Sequence, residues 1–264
     1  MVYFLSDVHL GLDLPNDSSN QREQRLVNLL DQLLKDATEL YLLGDIFDYW
    51  FEFRNGSHPE HGLLFSAFKK YAEKQVPIYL FCGNHDLWLG SFFLENFNIR
   101  VIRQPIEKTI LGKSFYLAHG DGIGNGDIGY KILKGVFTHP LSSFLFGFLP
   151  YSLGISIMKF FSNLSRKTHA DEAFDIHTDR LFQFCSEHSS SAEVDYYIMG
   201  HRHLLLRLAV NNRGTEYINL GDWLKYDSYA SFDGTELQLI SMTCLLYTSP
   251  SPRDATLSRM PSSA

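Results

Sequence analysis

The chain has 264 residues, of which 45% are hydrophobic and 20% charged, and its formal net charge at pH 7 is -7. This length and composition are typical of one large globular domain, or of one domain with an inserted subdomain. The acidic balance disfavours nucleic acid as a partner, although it allows a local basic patch. Three cysteines without paired spacing argue against a disulfide framework and for a reducing compartment.

The first part of the chain alternates predicted strands and helices. Residues 2–5 form an apolar strand, and because no signal peptide precedes it we expect a cytosolic protein. Leucines spaced three and four apart predict a one-sided helix: Leu26, Leu29, Leu30, Leu33 and Leu34. A strand at 40–43, a helix at about 63–74 and a strand at 78–81 follow. This alternation predicts a parallel sheet covered by helices.

The second part is predicted to be mainly extended. Residues 101–117 resemble a hairpin, 196–199 form another apolar strand, and the closing segment, 204–240, has an antiparallel pattern. The last stretch, 244–264, has neither strand nor helix period and contains two Ser-Pro pairs. We interpret it as a disordered tail or as translated vector sequence, and exclude it from a domain that spans 1–243.

A segment at about 122–191 interrupts this pattern. It has no formally charged residue between positions 135 and 158, and it is rich in phenylalanine. Pro140, Gly147, Pro150 and Gly154 interrupt the segment too often for a transmembrane helix, and a span here would place polar clusters that belong together on opposite sides of a membrane. We therefore predict an inserted helical cap with one apolar face. The alternatives are a hairpin buried in the core, or a basic-rimmed surface for a lipid-like substrate or a membrane.

Five short polar clusters each follow a predicted strand. They are Asp7-Val8-His9, Gly44-Asp45-Ile46-Phe47-Asp48, Gly83-Asn84-His85-Asp86, His119-Gly120-Asp121 and Gly200-His201-Arg202-His203. Any one of them is commonplace, since a lone Asp-x-His or Gly-Asp often forms an ordinary turn. Five in order, at the strand ends where open α/β sheets place their chemistry, predict a metal site.

The residue types suit two divalent cations. We infer that Asp7, His9, Asp45 and His203 bind one cation, and that Asp45, Asn84, His119 and His201 bind the other. A carboxylate shared by both, here Asp45, would offset their mutual repulsion. Mixed oxygen and imidazole ligands favour Mn, Fe or Zn over Mg or Ca. Two such ions would activate water and stabilise the oxygens of a transferring phosphoryl group.

Three nearby residues have other predicted roles. His85 has no obvious place among the ligands, so we interpret it as the general acid beside the leaving group. Asp86 would then orient His85. Asp48 is interpreted as a residue that supports the ligands without binding the metal.

Taken together, these motifs resemble the complete signature of the calcineurin-like metallophosphoesterases, over essentially the whole chain up to about Met242. The resemblance implies a four-layer αββα sandwich, with the cap inserted, around a dinuclear centre that hydrolyses phosphoesters or pyrophosphates. Within that superfamily the chain is most similar to the UDP-2,3-diacylglucosamine diphosphatases of lipid A synthesis. Residues 6–11, 44–50 and 119–122, and the apolar cap, carry that similarity.

The similarity implies an enzyme with two Mn²⁺ ions that converts UDP-2,3-diacylglucosamine to UMP and 2,3-diacylglucosamine 1-phosphate. It also implies peripheral association with the inner membrane of a Gram-negative bacterium, where the nucleotide-linked lipid resides. Asp121, Arg166 and Lys167 are the predicted substrate-binding residues, although the last two are equally typical of a solvated helix end.

One departure keeps a second function open. The best-known diphosphatases have Arg at the position of His85, whereas His is the general superfamily pattern. The alternative is a soluble metallophosphoesterase that acts on a nucleotide phosphodiester or on a phosphomonoester. A non-catalytic scaffold of this type predicts lost ligands, and all seven are present.

Overall fold

The computed structural model describes residues 1–56, 58–124, 126, 128–169 and 175–243, with the side chains of 164–169 excepted. The described strands form two sheets. The first sheet contains β1 (Val2–Leu5), β2 (Glu39–Leu42), β3 (Ile78–Phe81), β4 (Arg100–Ile102), β10 (Ser228–Phe232) and β11 (Leu237–Ser241). The second contains β5 (Ile106–Ile110), β6 (Lys113–Leu117), β7 (Tyr196–Met199), β8 (Leu205–Ala209) and β9 (Glu216–Leu220).

The helices lie between these strands in the chain. They are α1 (Ser19–Leu33), α2 (Gly62–Glu73), α3 (Phe92–Phe97), α4 (Ile128–Thr138), α5 (Pro140–Phe146), α6 (Tyr151–His169) and α7 (Arg180–His188). The start of α1 is fixed by a capping box, in which Ser18 and Gln21 satisfy each other's backbone amides. The leucine spacing of α1 places Leu26, Leu30 and Leu33 on one buried face.

The first sheet has the order β11-β10-β1-β2-β3-β4, and β1 to β4 are parallel. The order of the second sheet is β5-β6-β7-β9-β8, in which β6, β7 and β9 are parallel. Only 106–117 of the predicted hairpin forms one, as β5 and β6, because β4 pairs with β3 in the other sheet. The predicted parallel sheet covered by helices is confirmed.

Three apolar layers hold the fold together. In the central layer the ring of Phe4 stacks on Phe115 of the second sheet at 5.6 Å and on Tyr41 of its own sheet at 5.1 Å. The outer face of the first sheet packs against α1 and α2. Leu181 and Cys185 of α7 pack on the outer face of the second sheet. Helices on both outer faces of two stacked sheets make the four-layer αββα arrangement, as predicted.

In the described part of the predicted cap region, helices α4 to α7 lie between β6 and β7. α5 and α6 pack on the core through Phe146 and Met158, which contact Phe51, Phe53 and Trp88. α7, although inside the predicted insertion, belongs to the outer layer of the sandwich. Within the described ranges, none of the helices combines the length and apolar character needed to cross a bilayer. The limits of the domain and cap stay a prediction, and 244–264 lies outside the described residues.

Candidate metal centre

The seven predicted ligands lie together at one edge of the two sheets. Each follows a strand end, because the loops after β1, β2, β3, β6 and β7 all open at this edge. The first sheet supplies Asp7, His9, Asp45 and Asn84, and the second supplies His119, His201 and His203. Groups of three among these residues and His85 have atoms within 4.8 Å of one another, a spacing suited to a metal ion.

One group is formed by Asp7, His9 and His203. The Nε2 atoms of His9 and His203 face each other at 3.3 Å, and Asp7 Oδ1 lies 3.4 Å from His203 Nε2 and 4.0 Å from His9 Nε2. Asp45 Oδ2 lies 3.9 Å from His9 Nε2. The four side chains of the first predicted cation are therefore brought together.

The second group is formed by Asn84, His119 and His201. Asn84 Oδ1 lies 3.1 Å from His119 Nε2 and 2.9 Å from His201 Nδ1. Asp45 Oδ2, the oxygen that faces His9, lies 3.4 Å from His119 Nε2. One carboxylate oxygen thus faces both groups, which is the geometry that a bridging ligand requires.

These distances fit divalent metal ions. Ligand atoms about 2.0–2.2 Å from a cation lie roughly 3 Å from their neighbours, as most of these pairs do. Two of the imidazole rings are also held through their Nδ1 atoms. His119 Nδ1 donates to the carbonyl of Leu43 at 2.9 Å, and His203 Nδ1 lies 3.0 Å from Asp222 Oδ2. Such a bond holds the proton on Nδ1 and leaves Nε2 free to bind a metal.

Much of this site has strained backbone. Five of the seven ligands have positive φ: Asp7 at 53°, His9 at 53°, Asp45 at 52°, His201 at 69° and His203 at 53°. This left-handed conformation costs non-glycine residues roughly 1 to 3 kcal/mol each, and it concentrates at functional sites. Close packing adds a further constraint, because a Cβ on Gly200 would lie 2.3 Å from Asp7 Oδ2.

Burial and the nearby carboxylates shift the pKa values of the site's histidines in opposite directions. Burial alone would lower the pKa of His119, but the Asp45 carboxylate raises it to about 10. At His203 burial is likewise overcome, mainly by Asp7, and the pKa is raised. At His9 burial prevails and lowers the pKa. A cation would take the place of protons that the carboxylates hold on these histidines, so metal binding and proton release are coupled.

His85 lies beside the metal ligands with its ring against Asp48. Its Nδ1 is 3.2 Å from the carbonyl oxygen of Asp48 and 3.4 Å from Asp48 Oδ1. Asp48 also faces His9 Nδ1 at 3.4 Å and accepts a bond from Ser162 at 2.8 Å. Burial would raise the pKa of the Asp48 carboxyl, but His85 and His9 lower it overall, so it is a carboxylate at neutral pH.

Asp86 is placed differently from its predicted role. Its carboxylate accepts backbone N–H bonds from Gly83 at 2.7 Å, Ile46 at 2.9 Å, and Asp45 and Phe47 at 3.3 Å. It therefore ties the loop after β3 to the loop after β2. The polar contacts described for the His85 ring are with Asp48.

Asp121, a predicted substrate-binding residue, is buried behind the site. One of its oxygens accepts bonds from Tyr130 and Lys134 of α4, both at 2.5 Å. This ion pair connects the loop that carries His119 to the cap. The side chains of Arg166 and Lys167 lie outside the described residues.

An apolar cavity of about 620 Å³ extends from the metal centre into the cap. Asp48, Asn84 and His85 line its polar end. The remaining wall is mostly apolar and comes from the β3 loop and from α4 to α6: Leu87, Trp88, Leu133, Val136, Phe137, Phe146, Ile157, Met158 and Phe161. A cavity of this size and character suits a ligand with a large hydrocarbon part.

Sequence reasoning missed two supporting residues. Asp222 contacts His203 Nδ1, and Ser6 donates to Asp7 Oδ2 at 2.5 Å. Asp222 follows a strand and a glycine, just as Asp45 does, so the same pattern could have found it. Ser6 had no comparable signal apart from its place next to Asp7.

The chain is similar to known phosphoesterases. The family model for calcineurin-like phosphoesterases matches residues 1–205. A UDP-2,3-diacylglucosamine hydrolase from Porphyromonas gingivalis is 35% identical over 256 residues, which cover 91% of this chain and 97% of that protein. Another, from Pseudomonas putida, is 26% identical and covers 84% of this chain and 91% of its own. The solved structure of the E. coli phosphoesterase Yfce aligns with a TM-score of 0.42 and 16% identity, over 91% of this chain and 92% of that one. The chain belongs to the calcineurin-like phosphoesterase family, whose members are metal-dependent phosphoesterases.

Proposed function

We propose that the protein hydrolyses the pyrophosphate of UDP-2,3-diacylglucosamine and releases UMP and 2,3-diacylglucosamine 1-phosphate. The observation that carries this proposal is the apolar cavity, which begins at Asn84 and His85 and continues between α4 and α6. A substrate with a reactive pyrophosphate next to two acyl chains has the same division into polar and apolar parts. The relatives that carry this activity in their names support it over most of the chain.

Two Mn²⁺ ions are the proposed cofactors, held by the two ligand groups that share Asp45. When bound, such ions supply an activated water and neutralise charge on the phosphoryl oxygens. His85 is proposed as the general acid, since it lines the polar end of the cavity and is oriented by Asp48. Asp121, Arg166 and Lys167 are retained as substrate-binding residues, with Asp121 acting through Lys134.

The cap is also proposed to rest on the cytoplasmic face of the inner membrane. Its helices and the connection between α5 and α6 expose apolar side chains to solvent: Ile128, Ile132, Val136, Leu141, Phe144, Leu145, Phe148, Leu153 and Phe160. We call these residues the cap surface. A surface of this kind, next to the cavity, would let a lipid-linked substrate enter without crossing water.

The decisive experiment compares hydrolysis of UDP-2,3-diacylglucosamine with that of bis-p-nitrophenyl phosphate, in the presence of Mn²⁺. Leu133→Trp would fill part of the cavity, so we expect kcat/KM for the lipid substrate to fall about tenfold or more while hydrolysis of the soluble ester is unchanged. Leu94→Trp, at an exposed position of α3 that lies outside the cap and does not line the cavity, is the matched control. Wild-type activity on the soluble ester alone would instead identify a phosphoesterase with a different substrate.

Membrane association has its own test. We expect the protein to sediment with vesicles of phosphatidylethanolamine and phosphatidylglycerol, and Ile132→Glu with Leu145→Glu to abolish this. Leu94 of α3 is similarly exposed, and Leu94→Glu should sediment like the unaltered protein. Equal binding of all three proteins would refute docking through the cap surface.

A further inference from the structure

Arg22 of α1 is a fully buried cation that contacts the loop after β1. Its Nε donates to the carbonyl of Val8 at 2.8 Å, and its Nη2 donates to the carbonyls of His9, at 3.0 Å, and Leu12. Its Nη1 donates to Asp17, at 2.6 Å to the carboxylate and at 3.3 Å to the carbonyl. All five N–H groups of the guanidinium are therefore used, a set that a lysine cannot provide.

The loop that Arg22 contacts is strained. Asp7 and His9, which flank Val8, both have φ of 53°. A left-handed conformation in these residues persists only where surrounding contacts determine it. Arg22 supplies such contacts to the carbonyls of Val8 and His9, and so favours the conformation in which the side chains of Asp7 and His9 point to the same place.

Arg25, one helical turn further along α1, contacts a second loop of the site. It pairs with Asp227 at 2.9 Å and donates to the carbonyl of Trp223 at 3.4 Å, and it shares Asp17 with Arg22. The amide of Trp223 in turn donates to the carbonyl of Asp7 at 3.0 Å. Next to Trp223 lies Asp222, which holds the ring of His203.

In the other ligand group the amide of His201 donates to Asp7 at 3.0 Å, whereas Asn84 and His119 are held by separate contacts. The His119 ring donates to the carbonyl of Leu43 directly after β2, and Asp86 anchors the loop that carries Asn84 through backbone amides. Arg22 reaches the loop of Asp7 and His9, and Arg25 reaches the loop after β9, in which Asp222 contacts the His203 ring.

We propose that Arg22 and Arg25 are positioning residues that set the affinity of one metal position, that of Asp7, His9 and His203, and leave the other position nearly unchanged. The proposal rests on the two-metal centre proposed above, and it is tested without substrate. Removing the Arg22 contacts frees the strained loop to relax, so the ligands must be reordered each time a cation binds.

The test is titration of the metal-free protein with Mn²⁺, followed by calorimetry and by electron paramagnetic resonance. For Arg22→Met we expect one of the two dissociation constants to rise about 10- to 100-fold, while the other changes less than twofold. At intermediate Mn²⁺ the spin-coupled signal of a pair should be replaced by that of a single ion. Arg22→Lys should raise the dissociation constant of the same site by a smaller factor. It provides the test if Arg22→Met does not fold.

Tyr71→Phe is the matched control, because it removes a buried hydrogen bond to α1, at the carbonyl of Leu30, without touching a ligand loop. It should lower the temperature of unfolding and leave both dissociation constants unchanged. If Arg22→Met and Arg22→Lys bind two Mn²⁺ ions as the unaltered protein does, Arg22 serves stability alone and the proposal is wrong. An equal weakening of both sites would refute its selectivity. Binding of one Mn²⁺ by the unaltered protein would refute the two-metal centre itself.

Discussion

Replacing His85 with alanine should remove protonation of the leaving group and leave the metals in place. General acid catalysis contributes about 10²- to 10⁴-fold, which corresponds to roughly 3 to 5 kcal/mol in the activation free energy. The position of the ring supports this assignment, since Nδ1 is turned to the Asp48 carbonyl, 3.2 Å away, and the residue lines the polar end of the cavity. We therefore expect turnover of the pyrophosphate substrate to fall at least about 100-fold.

The assay uses a series of aryl esters of UMP whose phenols increase in basicity. Nitrophenolate leaves readily without a proton, so the defect of His85→Ala should be small for that ester and should grow as the phenol becomes more basic. Metal content must be measured in parallel, because the ring also lies within ligand distance of His9 and Asp45. An equal defect for every ester, or loss of a metal ion, would refute the role of His85 as the acid.

Three further predictions concern the support of the site. Asp222→Asn should weaken Mn²⁺ binding, measured by titration, about 10- to 100-fold, because the His203 ring loses the carboxylate that contacts its Nδ1. Gly200→Ala should displace Asp7 and destabilise the protein by about 1–3 kcal/mol in urea unfolding. Gly135→Ala, where the added Cβ meets open space, should leave the free energy of unfolding unchanged. Burial raises the pKa of Asp17, but its two arginine partners lower it overall. The Asp17 carboxylate therefore stabilises the folded protein fully above the unfolded pKa of about 3.9, and this stabilisation is lost as the pH falls through the lower pKa of the folded state. The destabilisation caused by Asp17→Asn should therefore be full at pH 7 and shrink in acid; a constant difference across this range would contradict the assignment.

The positions of the ligands could be predicted because they are the covalent neighbours of strands. Once residues 2–5, 40–43 and 78–81 are recognised as parallel, Asp7, Asp45 and Asn84 must emerge at the same edge. The same reasoning places His119 and His201. Neither step needs knowledge of side-chain conformation, only of the direction in which each strand runs.

Other features depend on tertiary choices that short patterns do not encode. α3 was missed because six residues are too few to show a helical period. Asp48 and Asp86 stand in similar loops that each begin with one glycine, and only the loop conformations turn Asp48 toward the His85 ring and Asp86 toward backbone amides. Arg22 precedes the leucines that predict the first helix, and nothing in the sequence distinguishes it from a solvated arginine, yet it is fully buried.

The division of the ligands between the two sheets has a mechanical consequence. His203 faces Asp7 and His9 across the edge, and His119 faces Asp45 and Asn84, so each cation would be held from both sheets at once. A loaded centre thus acts as a pair of reversible cross-links at one end of the sandwich. Separating the sheets at that end would require release of the ions, whereas at the opposite end Lys108 of β5 pairs with Glu39 of β2 at 2.8 Å beside apolar packing. Chelation should therefore increase amide hydrogen exchange first in the strand ends next to the ligands.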